Sequence, residues 1–257
     1  MRPLKSLGQN FLTQPEIATR IVELAEVAAC DRVWEIGPGH GILTRALLNT
    51  GCLLKAFELD RRLEAPLREE FGNSVDLVFG DILRLDWVKE LALECRPIKL
   101  VANIPYNITS PLLSLLERHH ERFQSATLML QKEVAERVTA RPGTKAYGVM
   151  TLRLKRIFDA SILLQVGREH FAPVPQVDSA VVSLKPRVDK PLIPDLEKYL
   201  ALIDLAFAHR RKTLRNNLLS HYDHDRIAGL QDQSGIDLKR RGETLSETEF
   251  ITLSSCF

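Results

Sequence analysis

Along the first two thirds of the chain, short aliphatic and β-branched runs alternate with stretches whose apolar residues recur every three or four positions. The strand-like runs fall at 33–36, 53–59, 75–79, 98–102, 126–130, 161–166 and 180–184. Helical periodicity predicts a first helix over 13–29, with Thr13 as its N-cap, and further helices over 42–49, 61–71, 87–95, 111–119 and 132–140. Strand alternating with helix implies an α/β fold with a mostly parallel, seven-stranded sheet covered on both faces. The last two strands are separated by FAPVPQ rather than by a helix, which suits an antiparallel pair at one edge. From Lys185 the texture changes: KPRVDKPLIPDLEKY holds three prolines and then gives way to helical periodicity without strand signals. The division this implies is a larger domain over 1–186 and a small helical domain over 187–257.

At 257 residues, 45% hydrophobic and 26% charged, the chain is long and apolar enough for a sizeable core. No run approaches the ~18 apolar residues of a membrane span, and MRPLKSLGQNFL lacks the apolar centre of a signal peptide, so a cytoplasmic location is expected. Cys30, Cys52, Cys95 and Cys256 form no CxxC pair, and His221 and His224 lack a third ligand, so neither a disulfide framework nor a bound metal is expected. A net charge of +2 announces no polyanionic partner by itself, so any basic footprint must be local. Two clusters qualify: Arg210, Arg211, Lys212 and Arg215 within HRRKTLR, and Arg141, Lys145 and Arg153 in a stretch free of acids. Taken alone, such runs also describe a solvated helix face.

The candidate chemistry sits where strands end. VWEIGPGHGILT runs a strand into Gly37-Pro38-Gly39-His40-Gly41 and then a helix. Glycines there let the backbone approach a ligand where a Cβ would clash, and the helix start offers unpaired N–H groups. The spacing is GxGxG rather than the GxGxxG of a pyrophosphate binder. Glu58 closes the second strand, where a carboxylate can accept both hydroxyls of a ribose, and Asp81 closes the third, placed to accept from an exocyclic amine. Loop, ribose acid and adenine acid together describe an adenosine-containing ligand, and a dinucleotide would need as much. His40 is read as a spacer.

VANIPYNITSP then sets Asn103, Ile104, Pro105 and Tyr106 at the same sheet edge. One reading is a strand terminator with a capping aromatic. The other is chemical: an adenine amino nitrogen is a poor nucleophile because its lone pair is delocalised. The Asn103 side-chain oxygen and the Ile104 carbonyl would hold its two hydrogens, Pro105 would fix that carbonyl's direction, and Tyr106 would stack on the purine.

With these motifs in place, the chain resembles the class I S-adenosylmethionine-dependent methyltransferases, and within them the ribosomal RNA adenine dimethyltransferases. Asn-Ile-Pro-Tyr resembles the signature of enzymes acting on adenine N6, and LGQNFL, MLQKEVAERV, KAYG, FAPVPQVDSAVV and AFAHRRKTLRNNL resemble that family's segments in order. The resemblance implies a Rossmann-like class I sheet with a C-terminal helical domain. It also implies S-adenosylmethionine as methyl donor without a metal, held by Gln9, Asn10, Leu12, Gly37, Gly39, Glu58, Asp81 and Asn103. Phe171 would sandwich the target base opposite Tyr106, or be a core aromatic at a proline-rich bend. The implied activity is N6,N6-dimethylation of two adjacent adenines in the 3′-terminal hairpin of 16S ribosomal RNA, late in small-subunit assembly, by a monomer. Arg141, Lys145, Arg153, Arg210, Arg211, Lys212 and Arg215 would hold the RNA, with Arg211 and Arg215 on one face of the helical domain's first long helix. A resistance-type enzyme acting on large-subunit RNA, an assembly or transcription factor without activity, and a nicotinamide oxidoreductase stand as alternatives. The arm before Thr13 is expected to be mobile until cofactor binds.

Overall fold

The computed structural model describes residues 8–257; Leu7 of the LGQNFL motif, and residues 1–7 of the arm expected to be mobile, lie outside the described residues. The elements are β1 (Phe11–Leu12), α1 (Pro15–Leu24), β2 (Arg32–Ile36), α2 (Ile42–Leu48), β3 (Leu53–Glu58), α3 (Glu64–Phe71), β4 (Val75–Phe79), α4 (Trp87–Ala92), β5 (Ile98–Asn103) and α5 (Thr109–Arg118). There follow β6 (Phe123–Gln131), α6 (Lys132–Val138), α7 (Val149–Lys155), β7 (Phe158–Val166), β8 (Phe171–Ala172), β9 (Ser179–Pro186), α8 (Leu196–Phe207), α9 (Leu214–Leu218), α10 (His224–Ser234) and α11 (Glu247–Ser255).

Seven strands form one sheet in the order β4-β3-β2-β5-β6-β9-β7, parallel from β4 through β6, with β9 antiparallel to β6. The alternating side chains of each strand face opposite ways, so both faces need cover. On one face, Ile21, Leu43, Leu47 and Leu67 of the helices pack with Val33, Leu54, Ala56 and Val101 of the sheet. On the other, fully buried Trp34 meets Phe57, Trp87 and Phe123 edge-on. A buried side chain of this kind contributes roughly 1.5–3 kcal/mol, and aromatic pairing adds to it. The register aligns the strand ends: Ile36 lies beside Phe57 and Ala102, and Glu58 beside Phe79.

Two expectations at the N-terminus are corrected. Thr13 is not an N-cap: α1 begins at Pro15 after Gln14, and the Thr13 N–H and hydroxyl both donate to the His170 carbonyl, at 2.9 and 3.0 Å. Those bonds continue a two-stranded ribbon in which Leu12 pairs with Phe171 and Phe11 with Ala172. Helix α1 also ends at Leu24, well before 29, because Glu26 takes a positive φ of 53° that a helix does not hold.

The chain divides into two compact units: residues up to Ala135 with Asp159–Pro186, and Glu136–Phe158 with Arg187–Phe257. Residues 136–158 thus group with the C-terminal segment, where the sequence reading placed them in the larger domain. The second unit has its own core, with Tyr147 and Leu152 packed among Tyr199, Leu202, Leu214, Leu218 and Phe250. Among the described residues, no helix is long and apolar enough to cross a membrane.

Candidate functional site

The parallel strands deliver their carboxyl ends to one edge, and the chain leaves each strand there without losing its hydrogen bonds. Gly37 N–H donates to the Phe57 carbonyl at 2.9 Å, Gly80 N–H to Glu58 at 2.9 Å, and Ile104 N–H to Met129 at 3.3 Å. Two adjoining clefts open along this edge. One, of about 520 Å³, is lined by Gln9, Asn10, Gly37, Glu58, Asn103 and Tyr106 among others. The next, of about 420 Å³, continues past Glu58 and Pro105 to Gly80, Asp81 and Asn107.

The glycine loop is shaped by close approach. Gly39 has φ +57°, and a Cβ on it would lie 2.8 Å from the Phe11 ring; Gly41, at φ +76°, would meet Phe71 at 2.5 Å. A Cβ on Gly37 would lie 3.7 and 3.8 Å from Asn103 O and Pro105 Cδ, ordinary contact distances, so at this position it is the positive φ of +73° that favours glycine. Phe11, unforeseen from sequence, covers the loop and tilts its ring against His40 at 4.3 Å between centroids.

Glu58 is 5% exposed. Its two oxygens accept the Gly39 N–H at 3.1 Å and the Asp60 N–H at 2.8 Å, which fixes the carboxylate's direction, while burial raises its pKa. Asp60, also missed, anchors the arm by accepting from Gln9 Nε2 at 3.0 Å; the Arg62 guanidinium beside it holds its carboxyl well below the usual range. An acid two residues past Glu58 was the available signal. Glu35 is fully buried beneath the loop. The Thr44 hydroxyl donates to its Oε2 at 2.8 Å, Oε1 has no partner among the described residues, and burial pushes its pKa up to about 8.

Asn103 is the last residue of β5, and its Nδ2 donates to the Asn10 carbonyl at 3.3 Å, leaving Oδ1 as the acceptor at the cleft. Pro105 holds extended backbone (φ −55°, ψ 132°), and the Ile104 carbonyl accepts no hydrogen bond among the described residues. Tyr106 is half-buried, with its hydroxyl 3.0 Å from Ser179 Oγ.

Other candidates stand elsewhere. Leu12 is buried in the core beside Phe171 and lines a smaller void under the glycine loop. Phe171, 3% exposed, packs in that same core and lines neither cleft. Asp81 does line the second cleft, but in a turn two residues past β4, where its Oδ1 accepts the Leu83 N–H at 3.0 Å. The cations of HRRKTLR are not on one long helix: α8 stops at Phe207, and Arg210, Arg211 and Lys212 lie in the turn before α9, which Thr213 caps. Arg211 and Arg215 therefore do not share a helical face. Arg210 donates to the Lys145 carbonyl at 2.7 Å and pairs with Glu243 at 2.9 Å, and Arg153 pairs with Asp204 at 3.0 Å. Arg141, Lys145, Arg211 and Lys212 are exposed and Arg215 is half-buried. No group of three metal-ligating side chains occurs among the described residues.

Solved structures share this architecture over nearly the full chain. A 23S ribosomal RNA methyltransferase, ErmE, is 28% identical with a TM-score of 0.75, covering 96% of this chain and 99% of its own. A dimethyladenosine transferase from Plasmodium falciparum is 26% identical with a TM-score of 0.75, covering 95% of each. By sequence, the ribosomal RNA small subunit methyltransferase A of Prosthecochloris aestuarii is 45% identical over 98% of this chain and 92% of its own length. Its Listeria monocytogenes counterpart is 41% identical over 98% and 89%. The family described as ribosomal RNA adenine dimethylase matches residues 3–256. With a match that runs almost end to end and a strand edge built as described, the chain belongs to the ribosomal RNA adenine dimethylase family.

Proposed function

We propose that the protein dimethylates N6 of two adjacent adenines in the 3′-terminal hairpin of 16S ribosomal RNA, late in small-subunit assembly, as a cytoplasmic monomer using S-adenosylmethionine. The observation that carries this reading is Asn103-Ile104-Pro105-Tyr106 at the end of β5, on the cleft shared with Gly37 and Glu58. Small-subunit relatives at 45% and 41% identity favour the small-subunit RNA over the large-subunit RNA named for ErmE at 28%.

The residues present fit the donor. Gly37, which lines the first cleft without a side chain, would leave room for the methionyl chain, Glu58 would receive ribose hydroxyls, and Asp81 at the far end of the second cleft would receive the adenine amine. Gln9 and Asn10 close over it from the arm. When bound, the donor supplies a methyl on a sulfonium: each transfer forms one N–C bond, returns the C–S pair to sulfur, and releases one proton from N6 to water.

The chain's own work is positioning. Asn103 Oδ1 and the Ile104 carbonyl hold the two N6 hydrogens, turning the lone pair towards the methyl, and Tyr106 stacks on the ring. Holding two reactants in line is worth effective molarities of ~10⁵–10⁸ M, so no side-chain base is required. Extruding a base costs a few kcal/mol, least in a loop, and phosphate contacts from Arg141, Lys145, Arg211, Lys212 and Arg215 offset part of it. Arg153 and Arg210 hold the ends of these segments through their ion pairs. Base sandwiching by Phe171 requires its ring to turn out of the core in which it is packed.

The test is transfer of labelled methyl to purified ribosomal subunits lacking the modification. Label in small subunits, appearing as N6,N6-dimethyladenosine, is the expected result; label only in large subunits overturns the reading.

A further inference from the structure

Resting on the reading above, we infer that Ser179 is a positioning residue that fixes the tilt of Tyr106, and that this bond matters most for the second methyl transfer to each adenine. The Tyr106 hydroxyl and Ser179 Oγ are 3.0 Å apart. Ser179 is 1% exposed and is held on every side: it begins β9 and pairs in register with Gln131, its neighbour Asp178 accepts the Lys132 N–H at 3.0 Å, and the Asp178 carboxylate accepts the Arg168 N–H at 3.1 Å. The base of Tyr106 is equally fixed, because Pro105 precedes it and the Ile108 N–H closes the following turn onto the Pro105 carbonyl at 3.1 Å. An aromatic ring tied at its Cα and at its hydroxyl has one orientation. A ring tied only at its Cα can swing.

The two transfers use that orientation unequally. Unmodified adenine offers two N6 hydrogens to two acceptors, Asn103 Oδ1 and the Ile104 carbonyl, so the amine is located by hydrogen bonds at both sides. The first transfer replaces one hydrogen by methyl. The monomethylated amine offers a single N–H to two acceptors, one contact is lost, and the lateral position of the base is then set by its stacking on Tyr106. A wandering ring is tolerated in the first step and misplaces the amine in the second, where misplacement on the order of 1 Å costs ~10²-fold in rate.

Ser179→Ala and Tyr106→Phe remove the same bond from opposite ends while keeping the stacking ring. The assay uses small subunits that lack the modification, S-adenosylmethionine and each variant, stopped at equal total methyl incorporation. N6-methyladenosine and N6,N6-dimethyladenosine are quantified by nucleoside mass spectrometry. Equal incorporation removes the effect of a smaller active fraction, which a merely structural defect would produce. Either variant should raise the mono-to-dimethyl ratio about 3- to 10-fold, the span of one ordinary hydrogen bond, and the double variant should match the singles because the bond is lost once. A ratio unchanged from that of the unsubstituted protein, or a double variant showing the product of the two single effects, overturns the inference. If Ser179→Ala does not fold, Tyr106→Phe decides alone. An unsubstituted protein that forms no N6-methylated adenine at all sinks the proposed function instead.

Discussion

The strand-end cleft and the cationic loops of the helical unit hold polar groups in opposite ways. At the cleft, Glu58 takes two backbone N–H groups, Asn103 is tied to Asn10, Gln9 to Asp60 and Tyr106 to Ser179. In the helical unit, Arg141, Lys145, Arg211 and Lys212 stand exposed on turns. The first arrangement fixes direction and the second supplies charge. Directional contacts fail steeply when displaced, whereas screened charges fail gradually and one at a time.

That contrast breaks first, if it breaks, at Asn103. Asn103→Ala should lower single-turnover methyl transfer by ~10²–10³-fold, as the loss of one preorganised polar contact does, with RNA affinity nearly unchanged. A loss below about tenfold would mean that the cleft positions the amine by stacking alone.

Glu35 sharpens the same point through stability. Its carboxyl is raised from 4.5 to about 8, so the folded protein holds the proton more tightly than the unfolded chain. The stability linked to it is fully present below the unfolded value and is lost as pH rises towards about 8, at up to ~1.4 kcal/mol per pH unit. Denaturant midpoints of the donor-free protein should therefore fall across that window, and those of Glu35→Gln should fall less. Parallel pH profiles for the two proteins would remove Glu35 from the account.

Gly39→Ala places a methyl against Phe11 at a positive φ, a strain of about 1–2 kcal/mol from the backbone alone. Weaker donor binding by calorimetry is expected, with part of the loss returned by adding Phe11→Ala. The smallest effects belong to the loops. Arg211→Ala and Lys212→Ala should each weaken RNA binding alike across sequences and reduce the log-log salt slope by ~0.7–0.9. A steep, sequence-dependent loss at either would place it with the directional groups.

The strand edge was legible because three signals coincide there: an apolar run stops, its period changes from two to about 3.6, and a glycine, acid or amide follows. Gly37, Glu58 and Asn103 each carry that mark, and the structure lines all three along one cleft. The β1–β8 ribbon carries no such mark, since each strand is two residues long and its partner is far away in sequence. Phe171 was ambiguous for the same reason: nothing local says whether a ring beside prolines turns inwards. The break at 208–213 was hidden because Leu205, Leu214 and Leu218 preserve an apolar pattern across the turn, although Thr213 before LRNNL has the character of an N-cap. Ser179 could not have been found from spacing, because its value lies in a contact across the fold.

The ribbon also dates the completion of the site during synthesis. Leu12 waits for Phe171, about 160 residues downstream, which at ~5–20 residues per second is roughly 10–30 s of translation. Until then Phe11 has no strand to hold it over Gly39. A nascent chain therefore carries its glycine loop and strand-end acids uncovered through most of its translation, and the strand-end cleft gains its final wall only as the sheet is finished.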